Sequence, residues 1–395
     1  MLTVDREKAI ARLMRFLAIE GVTGREKAIG ENVAQALREV GVPDEAIRFD
    51  QANTKIPVPT ETGNLIVTLP GTKPGPRRLF STHLDTVPLC AGAVPMRDGD
   101  YIVPQGKTAL GGDNRTGVGA LVTMVAELHA QKIPYAPMTV LFTVREESGL
   151  WGARTLDPKE LGQPAMGFNI DGGSAQTITI GAVGADRWEV EIFGKASHAG
   201  VHPERGISAT IVAARALASI HKDGWFGKVK KKGHEGTSNV GPVGDAQGRS
   251  AGQATNVVTD YVKVNGESRS ADTKFIGAIT AAYRKAFQSA AKQVRNDKGK
   301  SAKVRFSSFR SYFPFNLKEN SPVVEAAQTV AAGLGWETKL KFSNGGLDAN
   351  WLTRHGIPTI TFGAGQHDVH TIEEHVDLRE YIDGCTFALA LAAQA

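Results

Sequence analysis

"MTVLFTVREESGLWG", Met138 to Gly152, sets the reading of the whole chain. A run of strand-forming apolar residues stops abruptly at two adjacent carboxylates, Glu146 and Glu147, and a loop of small residues follows. Side chains that are neighbours on an extended chain point in opposite directions, so the two glutamates do not share one task by simple repetition. Alone, the pair reads as a solvated acidic turn, or as the first turn of a helix where negative charge suits the macrodipole.

The same texture recurs on both sides. "GNLIVTLPG" (Gly63–Gly71), "RRLFSTHLD" (Arg77–Asp85) and "AMGFNIDGG" (Ala165–Gly173) read as further strands. "NRTGVGALVTMVAELHAQ" (Asn114–Gln131) reads as a helix, with Ala, Leu, Val and Met recurring at steps of three and four. Strands alternating with helices indicate an α/β sheet covered on both faces. Near residue 185 the period changes. "DRWEVEIFGKAS", "YVKVNGESRS" and "AKVRFSSFRSYF" alternate with period two, as strands with one wet face do, and are separated by two helical patterns. That β-α-β-α-β segment, residues 185–314, is expected to be a small α+β domain inserted into a larger one made of residues 1–184 and 315–395.

Composition narrows the class. The chain has 395 residues, 41% apolar and 22% charged, ordinary values for a globular protein of two domains. No stretch approaches the roughly 18 consecutive apolar residues of a membrane span. The first twenty residues read as an amphipathic helix without the apolar core of a secretory signal. Cys90 and Cys385 lie far apart and form no C-x-x-C pair, which makes a reducing cytoplasm the simplest compartment. The net charge of +5 is mild, and its dense patch, "KVKKKG" (Lys228–Gly233), reads as a solvated loop rather than a nucleic-acid surface.

Ionisable residues gather where strands stop: His83 and Asp85 in "STHLDTVP", Asp113 in "LGGDNRTG", Glu146 and Glu147, Asp171 in "NIDGG", and His367, His370, Glu373, Glu374 and His375 in "HDVHTIEEHVDL". Any one cluster is explained by capping or by a hydrogen-bonded surface histidine. Together they offer imidazoles and carboxylates in the mixture that suits zinc or a similar cation, beyond the carboxyl ends of the strands where α/β sheets place ligands. Competing chemistries lack their signatures. There is no G-x-S-x-G elbow, "QGKT" is not a complete phosphate-binding loop, and "GAGQHD" lacks the third glycine of a dinucleotide fingerprint.

The ordered set H-x-D, Asp113 in its glycine-rich loop, E-E, D-G-G, S-H-A-G and a late H-T-x-x-E resembles the co-catalytic zinc peptidases, the family of peptidase T, carboxypeptidase G and the succinyl-diaminopimelate and acetylornithine deacylases. The "GKASHAGVHPERG" and "GGLDAN" segments look closest to the peptidase T-like branch. The resemblance implies a mixed-sheet catalytic domain and an inserted lid that also forms a homodimer. It implies two divalent ions, zinc with cobalt or manganese as alternatives, held by His83 and Asp171 on one side, Glu147 and His370 on the other, and Asp113 between. His367 is the alternative to His370, whose choice rests on Thr371 and Glu374 completing the motif.

The resemblance further implies that Asp85 orients His83 and that Glu146 acts as general base on a bridging hydroxide. His198 would stabilise the oxyanion from the partner subunit, and Asn256 and Arg269 would contact the polar end of the substrate. "NGGLDANWL" (Asn344–Leu352) would line the substrate pocket. The chain departs from the family where many relatives carry an acidic residue and a lysine after the bridging aspartate, for Asn114 and Arg115 stand there. The expected activity is hydrolysis of short peptides, as a tripeptide aminopeptidase. The alternatives are a deacylase of N-acyl amino acids, a carboxypeptidase, or a silent binding protein that has kept the fold. A peptide substrate is expected, with neither nucleic acid nor membrane as partner.

Overall fold

The computed structural model describes residues 2–245, 247, 252 and 254–394. The chain divides into two compact units, Met1–Ala182 with Phe315–Ala395, and Val183–Pro314.

The first unit is built on a nine-stranded mixed sheet. At its centre Arg78–His83 runs parallel to both Met138–Thr143 and Met166–Ile170, and Thr359–Phe362 runs parallel to Met166–Ile170. Leu65–Leu69 pairs antiparallel with Met138–Thr143, and Thr177–Ala182 pairs antiparallel with Thr359–Phe362. Every residue of Arg78–His83 and Met138–Thr143 is buried, which requires cover on both faces. Phe80, Phe142, Phe168 and Phe362 turn to the larger core, against the helices Gly112–Ala130 and Leu378–Ala393. Their neighbours Leu79 and Leu141 point the other way, to a smaller core with Leu156, Leu161 and Leu352. Each buried phenylalanine contributes about 1.5–3 kcal/mol by leaving water. The Phe362 and Phe387 rings meet edge to face at 4.9 Å.

The second unit is a five-stranded antiparallel sheet with the helices Ala209–Lys222 and Thr273–Gln293 on one face. Trp188, Val190 and Ile192 of the strand Gly184–Phe193 face those helices, while Glu189 on the other face pairs with Lys263 at 2.6 Å. This unit holds two strands more than the alternating pattern predicts. "KVKKKG", read as a solvated loop, supplies most of the first strand and the turn of a hairpin, Gly227–Lys231 with His234–Gly244. Lys232 and Gly233 both have positive φ, 49° and 82°, as a tight two-residue hairpin turn requires. The reading failed because only Val229 of the first strand is buried, and lysines on an edge strand protect it from further pairing. Both cysteines are buried free thiols, and no helix among the described residues is long and apolar enough to cross a membrane.

Candidate metal centre

The carboxyl ends of four neighbouring strands meet at one place. His83 is the last residue of its strand, and Asp171 directly follows Met166–Ile170. Glu146 and Glu147 lie just beyond Met138–Thr143. His370 lies in the loop between two short paired strands, Gln366–His367 and His375–Asp377, which follow Thr359–Phe362. Asp113 comes from the start of the helix Gly112–Ala130, where Gly111 takes the left-handed conformation with φ 85° and the Asp113–Asn114 peptide is cis.

Asp113 is the hub. Its Oδ1 lies 3.1 Å from His83 Nε2 and its Oδ2 lies 3.3 Å from His370 Nε2. The same His370 nitrogen is 2.9 Å from Glu147 Oε1. One ligand atom each of His83, Asp113 and Glu147 fall within 4.8 Å of one another. His370, rather than His367, joins this group, because His367 Nε2 is held by Glu380 Oε2 at 2.5 Å. Asp171 accepts a hydrogen bond from Gln366 at 3.3 Å and borders a cavity of ≈ 240 Å³, lined also by Ser174, Thr179 and Lys341. Glu146 is 8% exposed, and among the described residues its carboxylate takes no hydrogen bond.

Electrostatics mark the cluster as a cation site. Burial, reinforced by the negative charge of Asp113, pushes Asp171 up to about 8. Burial and the same charge push Glu147 up to about 7, against the pull of His370 and His83. Burial also raises Glu146 well above the carboxylate range, aided by Asp171, Glu147 and Asp348. The hydrogen bonds that His370 donates to Asp113 and Glu147 carry it to about 10. His83 is raised too, since its bonds to Asp113 and Asp85 outweigh the burial that would lower it. Asp113 is the exception: burial opposes its ionisation, yet two histidine contacts hold it below the usual range. Carboxylates that resist ionisation beside one another, around two imidazoles, have the donor set and the missing positive charge of a divalent-metal centre. His83, Asp113 and Glu147, with His370 beside them, fit a divalent cation.

A second layer of side chains aims the first. His83 Nδ1 is 3.0 Å from the carbonyl oxygen of Asp85 and 3.4 Å from its carboxylate, so the backbone of Asp85 is the nearer orienting group. The Asp85 carboxylate accepts the N–H of Glu146 at 2.9 Å and of Glu147 at 3.2 Å. Glu374, the last residue of the H-T-x-x-E motif, is buried and takes the N–H groups of Leu110, Gly111 and Asp113 at 2.8, 2.9 and 2.9 Å. That carboxylate shapes the glycine-rich loop, a role the motif alone does not reveal. Asn114 and Arg115, which depart from the family pattern, are braces. Asn114 donates to the Ile170 carbonyl at 2.7 Å, beside Asp171, and the buried Arg115 guanidinium donates to the carbonyls of Leu84 and Ile19. Gln366, Glu374 and Asp348 belong to the site although spacing assigns them no task. The "NGGLDANWL" segment, read as a loop, is a helix from Asp348 onward (Asp348–Arg354), and the buried Asp348 accepts a hydrogen bond from Thr143 at the end of its strand.

Three expected residues belong to the second unit. Exposed His198 accepts the N–H groups of Gly200 and Val201 on Nδ1, at 3.2 and 3.1 Å, so in the neutral ring the proton sits on Nε2. Asn256 is exposed, and its carbonyl holds Ala199 N at 2.8 Å, beside His198. Arg269 is engaged by Glu267, with Nε at 2.8 Å and Nη2 at 3.0 Å.

Comparison with known proteins agrees with this geometry. Residues 79–394 match Peptidase family M20/M25/M40. The chain is 24% identical over 355 residues to peptidase T of Escherichia coli (strain K12), covering 81% of this chain and 82% of that one. Among solved structures, aminopeptidase PepT from Bacillus cereus is 30% identical with a TM-score of 0.82, covering 99% of this chain and 98% of its own. A tripeptidase from Staphylococcus aureus is 27% identical with a TM-score of 0.86 over the same shares. The chain belongs to peptidase family M20/M25/M40, and within it to the hydrolases of the peptidase T-like branch.

Proposed function

We propose that the protein is a zinc-dependent aminopeptidase that releases the N-terminal residue of tripeptides in a reducing cytoplasm. The observation that carries this reading is the division of Asp113 between His83 and His370, with the unengaged carboxylate of Glu146 alongside. In this reading His83 and Asp171 hold one ion, Glu147 and His370 the other, and Asp113 both. When bound, the two ions would acidify a water molecule and polarise the scissile carbonyl. The protein's own work is proton traffic and orientation. Glu146 takes the proton of the attacking water and delivers it to the leaving amine, a task helped by a carboxyl whose burial raises its proton affinity.

Asp85 keeps His83 and the two glutamate N–H groups in register. His198, with its proton on Nε2, is a donor suited to the carbonyl oxygen as negative charge develops, supplied from the partner subunit of a homodimer. Asn256 and Arg269 are the proposed contacts for the polar end of the peptide, Arg269 while still braced by Glu267.

Matched substrates test the reading: free tripeptides beside N-acyl amino acids, each with the zinc-loaded and the chelator-treated protein. Release of the N-terminal residue from tripeptides, lost on chelation, is the expected result. Cleavage of the acylated compounds alone would replace the aminopeptidase with a deacylase that uses the same residues.

A further inference from the structure

Arg145, Glu146 and Glu147 present three successive backbone N–H groups to the interior, and two carboxylates receive them. Asp85 takes those of Glu146 and Glu147, while Glu26 Oε1 takes that of Arg145 at 3.1 Å. Glu26 precedes the helix Lys27–Glu39, more than a hundred residues away in sequence, and is 0% exposed. The same Oε1 accepts the N–H of Gly24 at 2.7 Å, so one oxygen ties the Gly24 loop to the glutamate turn. Its second oxygen, Oε2, is buried and has no hydrogen-bond partner among the described residues. Burial together with the nearby Asp85 charge pushes Glu26 up to about 7.

Arg145 needs such an anchor. Its φ is 53°, a left-handed conformation that a non-glycine residue adopts at a cost and keeps only when its surroundings impose it. Outside, its guanidinium is fastened to Thr60 Oγ1 at 2.7 Å, Ser148 Oγ at 3.1 Å and the Pro59 carbonyl. Inside, Glu26 is the acceptor of its N–H. Gly24 has φ 90°, a left-handed conformation that favours glycine, at the point where its loop passes the Arg145 guanidinium and the Pro59 carbonyl. This kink separates two adjacent side chains: Glu147 reaches His370, whereas the Glu146 carboxylate stays unengaged.

We infer that Glu26 is a positioning residue of the hydrolytic centre, one that sets the directions of Glu146 and Glu147 through the Arg145 N–H and acts only through that turn. The inference rests on the proposed roles of Glu146 as base and Glu147 as ligand. What matters is the place of one acceptor oxygen rather than a negative charge. Glutamine keeps that oxygen, aspartate withdraws it by one methylene, and alanine deletes it.

The full-length variants Glu26→Gln, Glu26→Asp and Glu26→Ala test this by three readouts: zinc affinity in competition with a chelating dye, kcat and KM, and thermal unfolding. Glu26→Asp and Glu26→Ala should lower kcat per folded enzyme about 10²-fold with KM little changed, as a shift of about 1 Å at a catalytic group does. They should also weaken one of the two zinc ions by about 10–100-fold, while Glu26→Gln stays near the parent protein. Wild-type zinc affinity and kcat in the aspartate variant would overturn the inference. So would a glutamine variant as impaired as the aspartate one, since charge would then be the property that counts. If alanine prevents folding, the glutamine and aspartate pair still decides. If the parent protein cleaves no peptide, the activity reading fails separately, and the zinc titration alone judges Glu26.

Discussion

The two sides of the metal centre are held in different ways. His83 ends a buried central strand, with its side chain 2% exposed and both ring nitrogens engaged by aspartates. His370 sits in a hairpin loop with φ 66° and a side chain 47% exposed, and Glu147 opposite it lies in a kinked turn. One side inherits its geometry from the sheet. The other depends on Thr371, which bonds the Asp368 carbonyl inside the loop, and on the carboxylates of Asp85 and Glu26 beneath the turn. A centre built this way has one side held by the sheet and one side held by hydrogen bonds within a loop and a turn.

Asp113→Ala breaks the comparison most severely, because it removes the group both sides share. It should lose both zinc ions and all measurable hydrolysis, and metal analysis showing one ion still bound would mean that Asp113 serves a single side. Next comes Glu146→Gln, expected to lower kcat by about 10²–10⁴-fold with both ions retained. Near-wild-type turnover by a metal-loaded Glu146→Gln protein would remove Glu146 from the base role.

Comparing His83→Ala with His370→Ala sharpens the contrast between the sides. His83→Ala leaves Asp85 and Asp113 short of a buried partner and should cost about 1–3 kcal/mol of stability as well as an ion. His370→Ala should release one ion and barely change the unfolding temperature. Equal destabilisation of the two would contradict the division into a sheet-held and a loop-held side.

The smallest effect is one of pH. Folding raises Glu147 to about 7 and Asp171 to about 8, from ordinary values of 4.5 and 3.8, and raises His370 from 6.5 to about 10. Each group binds protons better in the folded chain, so its contribution is fully present below the unfolded value and is lost as pH rises through the folded one. Chelator-treated protein should therefore lose stability between roughly pH 4 and 10, and zinc, by replacing those protons, should flatten the decline. Unfolding temperatures measured across that range, with and without zinc, give the answer. A chelated protein that grows more stable with rising pH would reverse the sign.

Much of the molecule is legible in the residues. Apolar runs such as "RRLFSTHLD" and "MTVLFTV" carry their strand identity locally, and the helix over Gly112–Ala130 announces itself by its period. The hairpin Gly227–Gly244 does not, because an edge strand with one buried valine has almost no pattern to show. Within the site, residue chemistry and position pick out a wider set of histidines and carboxylates, and it is the resemblance to the zinc peptidases that narrows it to His83, Asp113, Glu147, Asp171 and His370. Glu26 and Gln366 do not stand out, and Glu374 shows only as the end of the H-T-x-x-E motif, not as the acceptor of three N–H groups. A buried carboxylate that holds a distant backbone N–H looks in sequence like any surface glutamate.

The sequence by itself therefore determined where the strands stop and which side chains of metal-binding type stand at those ends, since both follow from local periodicity and residue chemistry. Only the tertiary structure decided that one aspartate divides its oxygens between two histidines, and that a left-handed residue sends adjacent glutamates to different places. It alone matched buried carboxylates to N–H groups up to 264 residues away. Those arrangements arise when the folded chain brings distant backbone donors beyond the reach of water, where each must find an acceptor, and no short stretch of residues records which acceptor it will be.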